Sequence, residues 1–319
     1  MRHNYPIAYA CYNKDEKIRY ESTSGGVFSL VAEYILEQMS GVVYGAAFDQ
    51  DFKVKHIRIE DSGEIRMLRG SKYVQSDIGF SYREVQADLE EKRVVLFTGT
   101  PCQIYGLKTY LGKEYDNLYC MDFVCHGVAS VKVWEAYVDR LKEKGEIEQI
   151  IFKKKVKGWK KWYFCIKYKD SVCQVRGALN TYMRSYLSYC NIRPSCYSCM
   201  FKGIERVSDF TIADCWGIAE TNKEINDDKG LSALLIQNER ARKIFELISG
   251  KLCYLEYEPE VLMEGNWTTV KSVKPHALRT SFFELVRTKG ANYALDKHFR
   301  PTWRSWLKYR ILCILGKEK

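Results

Sequence analysis

Along the N-terminal half of the chain, short apolar runs alternate with longer stretches in which apolar residues recur every three or four positions. The first kind reads as strands and the second as helices. Residues 5–11 form an apolar first strand. Gly25-Gly26 then opens a helix over 27–39, with Val27, Leu30, Val31, Tyr34 and Ile35 on one face, and Gly41 ends it. Residues 42–48 read as a short buried strand and 54–59 as a half-exposed one. The amphipathic, charged stretch 80–91 predicts a surface helix. Residues 94–97 are a buried strand running into Thr98-Gly99-Thr100-Pro101-Cys102. A helix to Leu111 follows, then a strand over 118–124 and a helix over 131–142. This alternation predicts an α/β fold with a largely parallel or mixed sheet, flanking helices and ligands at the strand ends.

The pattern changes after residue 147. Residues 150–152 and 162–168 read as strands around a basic connection, which predicts a smaller antiparallel insertion. A short helix over 182–188 leads into a cysteine-rich stretch. Residues 210–213 and 232–237 are further strands, and 239–249 is a helix. From Pro275 onward the chain reads as helical and basic. Three regions are expected, spanning 1–147, 148–250 and 251–319, with no internal repeat, low-complexity tract or flexible linker between them.

Composition adds cysteine and charge to this picture. The 319 residues are 46% hydrophobic and 28% charged, as in an ordinary globular protein, but twelve are cysteine. The N-terminus carries no apolar run with a cleavage site, and no segment approaches the ~18 consecutive apolar residues of a membrane span. Reduced thiols in a cytoplasmic protein are therefore expected, some buried and some binding metal. The net charge of +10 suits an anionic ligand, membrane surface or nucleic acid without choosing among them. The 23 tyrosines are dispersed and form no RNA-binding signature, so nucleic acid is not expected as a partner.

The sharpest chemical signal is Cys190-x5-Cys196-x2-Cys199, in Cys190-Asn-Ile-Arg-Pro-Ser-Cys196-Tyr-Ser-Cys199. A Cys-x2-Cys pair can turn two thiolates onto one soft metal centre, and no histidine lies close enough to complete a mixed zinc site. This reads as an iron–sulfur site whose remaining ligand comes from afar, with Cys102 and Cys125 as candidates. Both follow buried strands, and if those strands are neighbours the two thiols share one sheet edge. Cys102 also opens a helix, which lowers a thiol's pKa and equally suits a nucleophile. His126, beside Cys125, is a weaker candidate for ligand or acid–base work, or a structural residue. Cys11, Cys120, Cys165, Cys173, Cys215, Cys253 and Cys313 read as small core or surface residues.

Four other stretches stand out. Ser22-Thr23-Ser24-Gly25-Gly26 precedes a helix and suits either a phosphate or an ordinary helix cap. Neither a Rossmann fingerprint nor a Walker loop is present. Gly70-Ser71-Lys72-Tyr73-Val74-Gln75-Ser76 combines a cation, a ring and hydroxyls. Lys153, Lys154, Lys155, Lys157, Lys160 and Lys161, interleaved with Trp159 and Trp162, form the densest positive run, expected as a solvated hairpin or a site for an acidic partner. The tail, 303–319, mixes Trp303, Trp306, Leu307, Ile311, Leu312, Ile314 and Leu315 with lysine and arginine up to Lys319. It suits peripheral contact with an anionic membrane or a helix docked on the core.

Taken in order, Ser24-Gly25-Gly26-Val27, the stretch from Gly70 to Ser76, Gly99-Thr100-Pro101-Cys102-Gln103, Cys125-His126-Gly127, Arg193-Pro194-Ser195-Cys196-x2-Cys199 and Asp214-x-Trp216-Gly217 form a pattern. In these segments the chain resembles the coenzyme F420 hydrogenase/dehydrogenase beta subunits, over about two thirds of its length. The resemblance implies an oxidoreductase with a flavin, FAD or FMN, beside one [4Fe–4S] cluster. Ser24, Gly25, Gly26, Lys72, Tyr73, Gln75, Ser76 and Thr100 would hold the flavin, placing it in the N-terminal region that ends at residue 147. Cys102, Cys125, Cys196 and Cys199 would bind the cluster, with Cys190 in reserve if Cys102 faces the flavin instead. The N-terminal ferredoxin-like segment of some relatives is lacking, so a separate ferredoxin-like partner is expected to exchange electrons with a small-molecule or coenzyme substrate. Similar bacterial proteins suggest a polysaccharide-related pathway. Two readings compete: a zinc-stabilised module binding an acidic polymer through Lys153 to Lys161, and a thiol enzyme using Cys102.

Overall fold

In the computed structural model, which describes residues 5–314, the strands form two sheets. They are β1 (Ile7–Asn13), β2 (Val42–Phe48), β3 (Val54–Ile59), β4 (Val95–Gly99), β5 (Leu118–Phe123) and β6 (Ile147–Lys154). The second half adds β7 (Tyr163–Tyr168), β8 (Val172–Arg176), β9 (Phe210–Asp214), β10 (Ser232–Ile236) and β11 (Leu252–Tyr257). The helices are α1 (Glu16–Glu21), α2 (Val27–Glu37), α3 (Ile65–Leu68), α4 (Ser81–Glu90), α5 (Pro101–Leu111) and α6 (Val131–Lys142). They continue with α7 (Thr181–Leu187), α8 (Trp216–Thr221), α9 (Glu239–Ile248), α10 (Pro259–Met263), α11 (Arg279–Lys289), α12 (Ala291–Phe299) and α13 (Trp303–Ile314). The end of the expected tail, 315–319, lies outside the described residues.

The main sheet has the order β11-β1-β10-β9-β5-β4-β2-β3. Its centre, β9, β5, β4 and β2, is parallel, and antiparallel strands flank it on both sides. The mixed α/β sheet expected from the strand–helix alternation is therefore present, as is the antiparallel insertion, β6-β7-β8. β8 and β11 escaped the sequence reading because few of their residues are buried and no apolar run marks them.

Both faces of the main sheet are covered, which explains why β4 reads as an unbroken apolar run. On one face α2 and α9 pack Leu30, Val31, Ile35, Ile244 and Phe245 against Leu96, Met121 and Leu234. On the other, α4 and α5 bring Val85, Leu89, Ile104 and Leu107 onto Val95, Phe97 and Cys120. The small sheet joins α6, α7 and α12 around Trp134, which stacks on Phe48 and crosses Phe152 and Tyr182.

The basic run departs from expectation. Lys153 and Lys155 are buried, Lys153 Nζ lies 2.7 Å from Asp214 Oδ2, and Trp159 is fully enclosed against Trp216 at 4.4 Å between ring centroids. Lys153, Lys155 and Trp159 point inward while Lys154, Lys157, Lys160 and Lys161 keep exposed surface, so the segment is not a wholly solvated hairpin. Its partners are supplied by residues more than fifty positions away, which charge density along the chain does not reveal.

Trp134 has no exposed surface, and its Nε1–H donates to the Phe52 carbonyl at 2.7 Å. Trp134→Ala should lower unfolding free energy by about 3–5 kcal/mol, from lost packing and an orphaned carbonyl. Urea denaturation of the two proteins checks this.

Candidate functional site

The parallel strands all end on one edge of the sheet, and the chain there carries most of its chemistry. β4 ends at Gly99 before Thr100 and Cys102, β5 before Cys125, and β9 at Asp214. β4 and β5 pair in parallel, Gly99 opposite Asp122, so the expected sharing of an edge by Cys102 and Cys125 is found. A cavity of about 280 Å³ opens along this edge.

One wall is the loop between α1 and α2. Gly25 sits so tightly that a Cβ would stand 2.5 Å from the Cys11 carbonyl, and its N–H donates to Ser232 Oγ at 2.8 Å. Gly26 adopts φ +86°, a left-handed conformation that suits glycine, and caps α2. Ser24 and Gly26 line the cavity with the first residues of α2, Val27 and Phe28. Gly25 does not; its place is against β1 and β10. Behind the loop, the Lys155 ammonium donates to the carbonyls of Arg19, Ser24 and Lys229 at 2.6–2.7 Å. Arg19 in turn grips Asp227 with both guanidinium ends. Free backbone N–H groups at the start of α2 thus face a cavity ringed by hydroxyls, an arrangement suited to phosphate.

The second wall is the loop after α3. Thr23 Oγ1 accepts from the Ser71 N–H at 2.8 Å and ties the two loops together. Lys72, Tyr73 and Ser76 line the cavity. Lys72 Nζ donates to the carbonyls of Leu68, Arg69 and Gly70, closing the end of α3, and burial lowers its pKa to about 7. Gln75 lies off the cavity; its N–H donates to Ala129 and its amide oxygen accepts from Arg193. Thr100 caps α5 in a box with Gln103, whose Nε2 donates to Ser76 Oγ at 2.9 Å. Thr100 therefore lines the cavity and fixes the turn that carries Cys102.

Cys102, Cys125, Cys196 and Cys199 come together at one end of the cavity, where Cys125 lines it. Cys102 is exposed in the first turn of α5, 3.1 Å from Thr100 Oγ1. Burial pushes the Cys125 thiol up to about 12, the neighbouring Cys102 and Cys196 add to this, and the Gly127 N–H opposes it. Cys196 is raised by burial and by Cys102 and Cys199. Gly127, at φ +104°, lets the backbone pass close to Cys196: a Cβ there would come within 3.2 Å of Cys196 Cβ. Ser272 Oγ accepts from the Cys199 N–H, and Lys202 donates to the Cys125 and Thr268 carbonyls. Cys190 is different: it is fully buried in the core around Trp134, away from this group. Among the described residues, no three His, Cys, Asp or Glu side chains close on a point as a single bound ion requires. Cys125 is influenced by Cys102 and Cys196, and Cys196 by Cys102 and Cys199, so the four thiols are neighbours.

Cys125, His126 and Gly127 line the cavity as well, so its far end reaches the thiol group. His126 sits between the Tyr189 and Thr268 hydroxyls, 3.3 and 3.2 Å away, and burial lowers its pKa to about 4. Asp214, Trp216, Tyr186, Asn266 and His56 complete the lining and were not identified from sequence as site residues. Asp214 and Trp216 had a signal, the Asp-x-Trp-Gly segment at a strand end. His56, alone in a strand, had none.

Residues 8–79 match the family model described as coenzyme F420 hydrogenase/dehydrogenase, beta subunit N-term, and residues 92–260 match its C-terminus counterpart. The chain belongs to the coenzyme F420 hydrogenase/dehydrogenase beta subunit family. A chain in a solved F420-reducing [NiFe] hydrogenase complex from Methanosarcina barkeri shares the fold, with TM-score 0.55 and 16% identity over 99% of this chain and 97% of that one. No curated protein matches. Membership of the beta subunit family supports an oxidoreductase role and accords with the order of motifs read from the sequence.

His56 stacks on Phe97, its Nε2 lies 2.9 Å from the Thr98 carbonyl, and burial lowers its pKa from 6.5 to about 4. Between these values the unfolded chain binds a proton that the folded chain refuses, so stability falls as pH drops. The loss from His56 should reach about 3 kcal/mol by the acid end of that window. His56→Gln should flatten the fall, as read by urea midpoints across it.

Proposed function

We propose that this beta-subunit relative is a flavin- and [4Fe–4S]-dependent oxidoreductase that passes electrons between a small-molecule or coenzyme substrate and a ferredoxin-like partner. The observation that carries the reading is the shared residue: Cys125 both lines the cavity and belongs to the group of four thiols. A flavin in the cavity and a cluster on the thiols would then stand side by side.

The residues fit both groups. Cys102, Cys125, Cys196 and Cys199 would supply four sulfur donors, with Cys190, buried in the core, in reserve. Ser24, Gly26 and the start of α2 would bind phosphate, while Lys72, Tyr73, Ser76 and Thr100 would flank the ring system. Gly25 and Gln75 would serve by fixing the loops. A bound flavin takes electrons in pairs and releases them singly, the property that couples a hydride donor to a one-electron centre. The chain's own work is to hold ligands and to limit the charge around the cavity. Neutral His126 does this beside the thiols, and the Lys153–Asp214 pair does it at the other wall by compensating itself. A polysaccharide-related pathway remains the biological setting we favour.

Anaerobic purification with iron, sulfide, flavin and zinc analysis tests the proposal. We expect about four irons and one flavin per chain, with the broad visible absorption of an iron–sulfur protein. A colourless protein holding zinc would overturn it. Cys196→Ser should lose iron and sulfide. Ala46→Trp, which fills the cavity from β2, should lose flavin and keep iron. Iron retained in the first variant or flavin in the second would reject the corresponding half of the site.

A further inference from the structure

The helix α13 has no role in the site, and among the described residues no element makes an extensive contact with it. Trp303, Trp306, Leu307 and Ile311 recur at three- and four-residue intervals and so fall on one face. All four are exposed, Trp303 to 69% and the others to almost half. A contiguous apolar strip of this kind, unpaired on a water-facing surface, marks a place where something docks.

Charge identifies what docks. Arg300 and Arg304 are exposed beside these side chains, and Arg310 is exposed on the same helix face, between Trp303 and Trp306 in rotation about the axis. Over 297–319 the sequence holds seven cations (Lys297, Arg300, Arg304, Lys308, Arg310, Lys317 and Lys319) against Glu318 alone. Two tryptophans beside arginines are the side chains that settle at the level of lipid headgroups. Twelve residues of helix reach only ~18 Å, short of a ~30 Å hydrocarbon core. No helix among the described residues is long and apolar enough to cross a membrane. Such a helix lies in the interface, apolar face down and cations among the headgroups.

We propose that α13 is an interfacial anchor that seats the protein on an anionic lipid surface. The inference is independent of the redox reading, since none of these residues touches the cavity or the thiols.

Sedimentation of the full chain with vesicles tests it, comparing pure phosphatidylcholine with a mixture holding about one quarter phosphatidylglycerol. The protein should sediment with the anionic vesicles, remain in solution with the neutral ones, and be released as salt rises. Trp306→Asp with Leu307→Asp should abolish sedimentation while far-ultraviolet circular dichroism and the urea midpoint stay unchanged. Arg304→Gln with Arg310→Gln should weaken binding about twenty-fivefold, at about fivefold per cation. A parent protein that stays in solution would overturn the proposal, as would variants that sediment like the parent. So would light scattering that finds an oligomer which Trp306→Asp dissociates, because the strip would then be covered by a second copy.

Discussion

A buried ammonium with no carboxylate at its tip organises the site. Lys155 sits 5% exposed, and its three hydrogen-bond contacts are all backbone carbonyls, from Arg19, Ser24 and Lys229. Burial, with Arg19 close by, lowers its pKa to about 7. Only the protonated form has three N–H bonds for three acceptors, so the geometry itself favours the cation. An unpaired buried charge is expensive, and what stabilises it is the convergence of carbonyls from segments more than two hundred residues apart. The loop at Ser24 is therefore held from behind, which fixes the start of α2 against the cavity. The same cation explains why Gly230 is glycine: a Cβ there would stand 2.3 Å from Lys155 Nζ.

From that anchor the rest of the edge is fixed in sequence. Gly25 locks onto Ser232 in β10, which pairs with Asp214 in β9, and Asp214 holds Lys153. β9 pairs with β5 and β5 with β4, so the strand ends bearing Cys125 and Cys102 are set at one sheet spacing. A parallel sheet places these ends together without any contact among the residues themselves. That is why motifs scattered over two hundred positions can form one cavity.

Much of this was legible in the chain. The strands at 42–48 and 54–59 and the helix at 131–142 have the limits that their periodicity predicts, because each buries one face or both against a continuous core. The neighbouring placement of Cys102 and Cys125 was legible too, since consecutive strand–helix units tend to pair. Lys153 and Lys155 were not, because lysine in sequence carries no sign of its partner and charge density argues for solvent. Gly25 read as a ligand contact because sequence shows flexibility, not what a Cβ would strike. Cys190 read as one of a trio because spacing shows proximity along the chain, while the turn at Tyr189, with φ +61°, sends it into the core.

The thiols show how burial sets chemistry. Cys125 is held neutral at ordinary pH by a shift to about 12, and such a thiol is a poor nucleophile. Deprotonation there needs a strong local cation, which a metal cluster brings and the protein alone does not: Lys202, the closest ammonium, is itself lowered by burial. Metal loading at the site we propose would release protons, and so would be coupled to pH and to folding of the turn that carries Cys196 and Cys199. Neutral His126 and the self-compensated Lys153–Asp214 pair add no net charge to the adjacent cavity, which leaves Lys72 and Arg69 as the cationic side chains in its lining. In the site we propose, the bound groups would then set the local field, and small changes in their charge would be felt strongly across a short, dry distance.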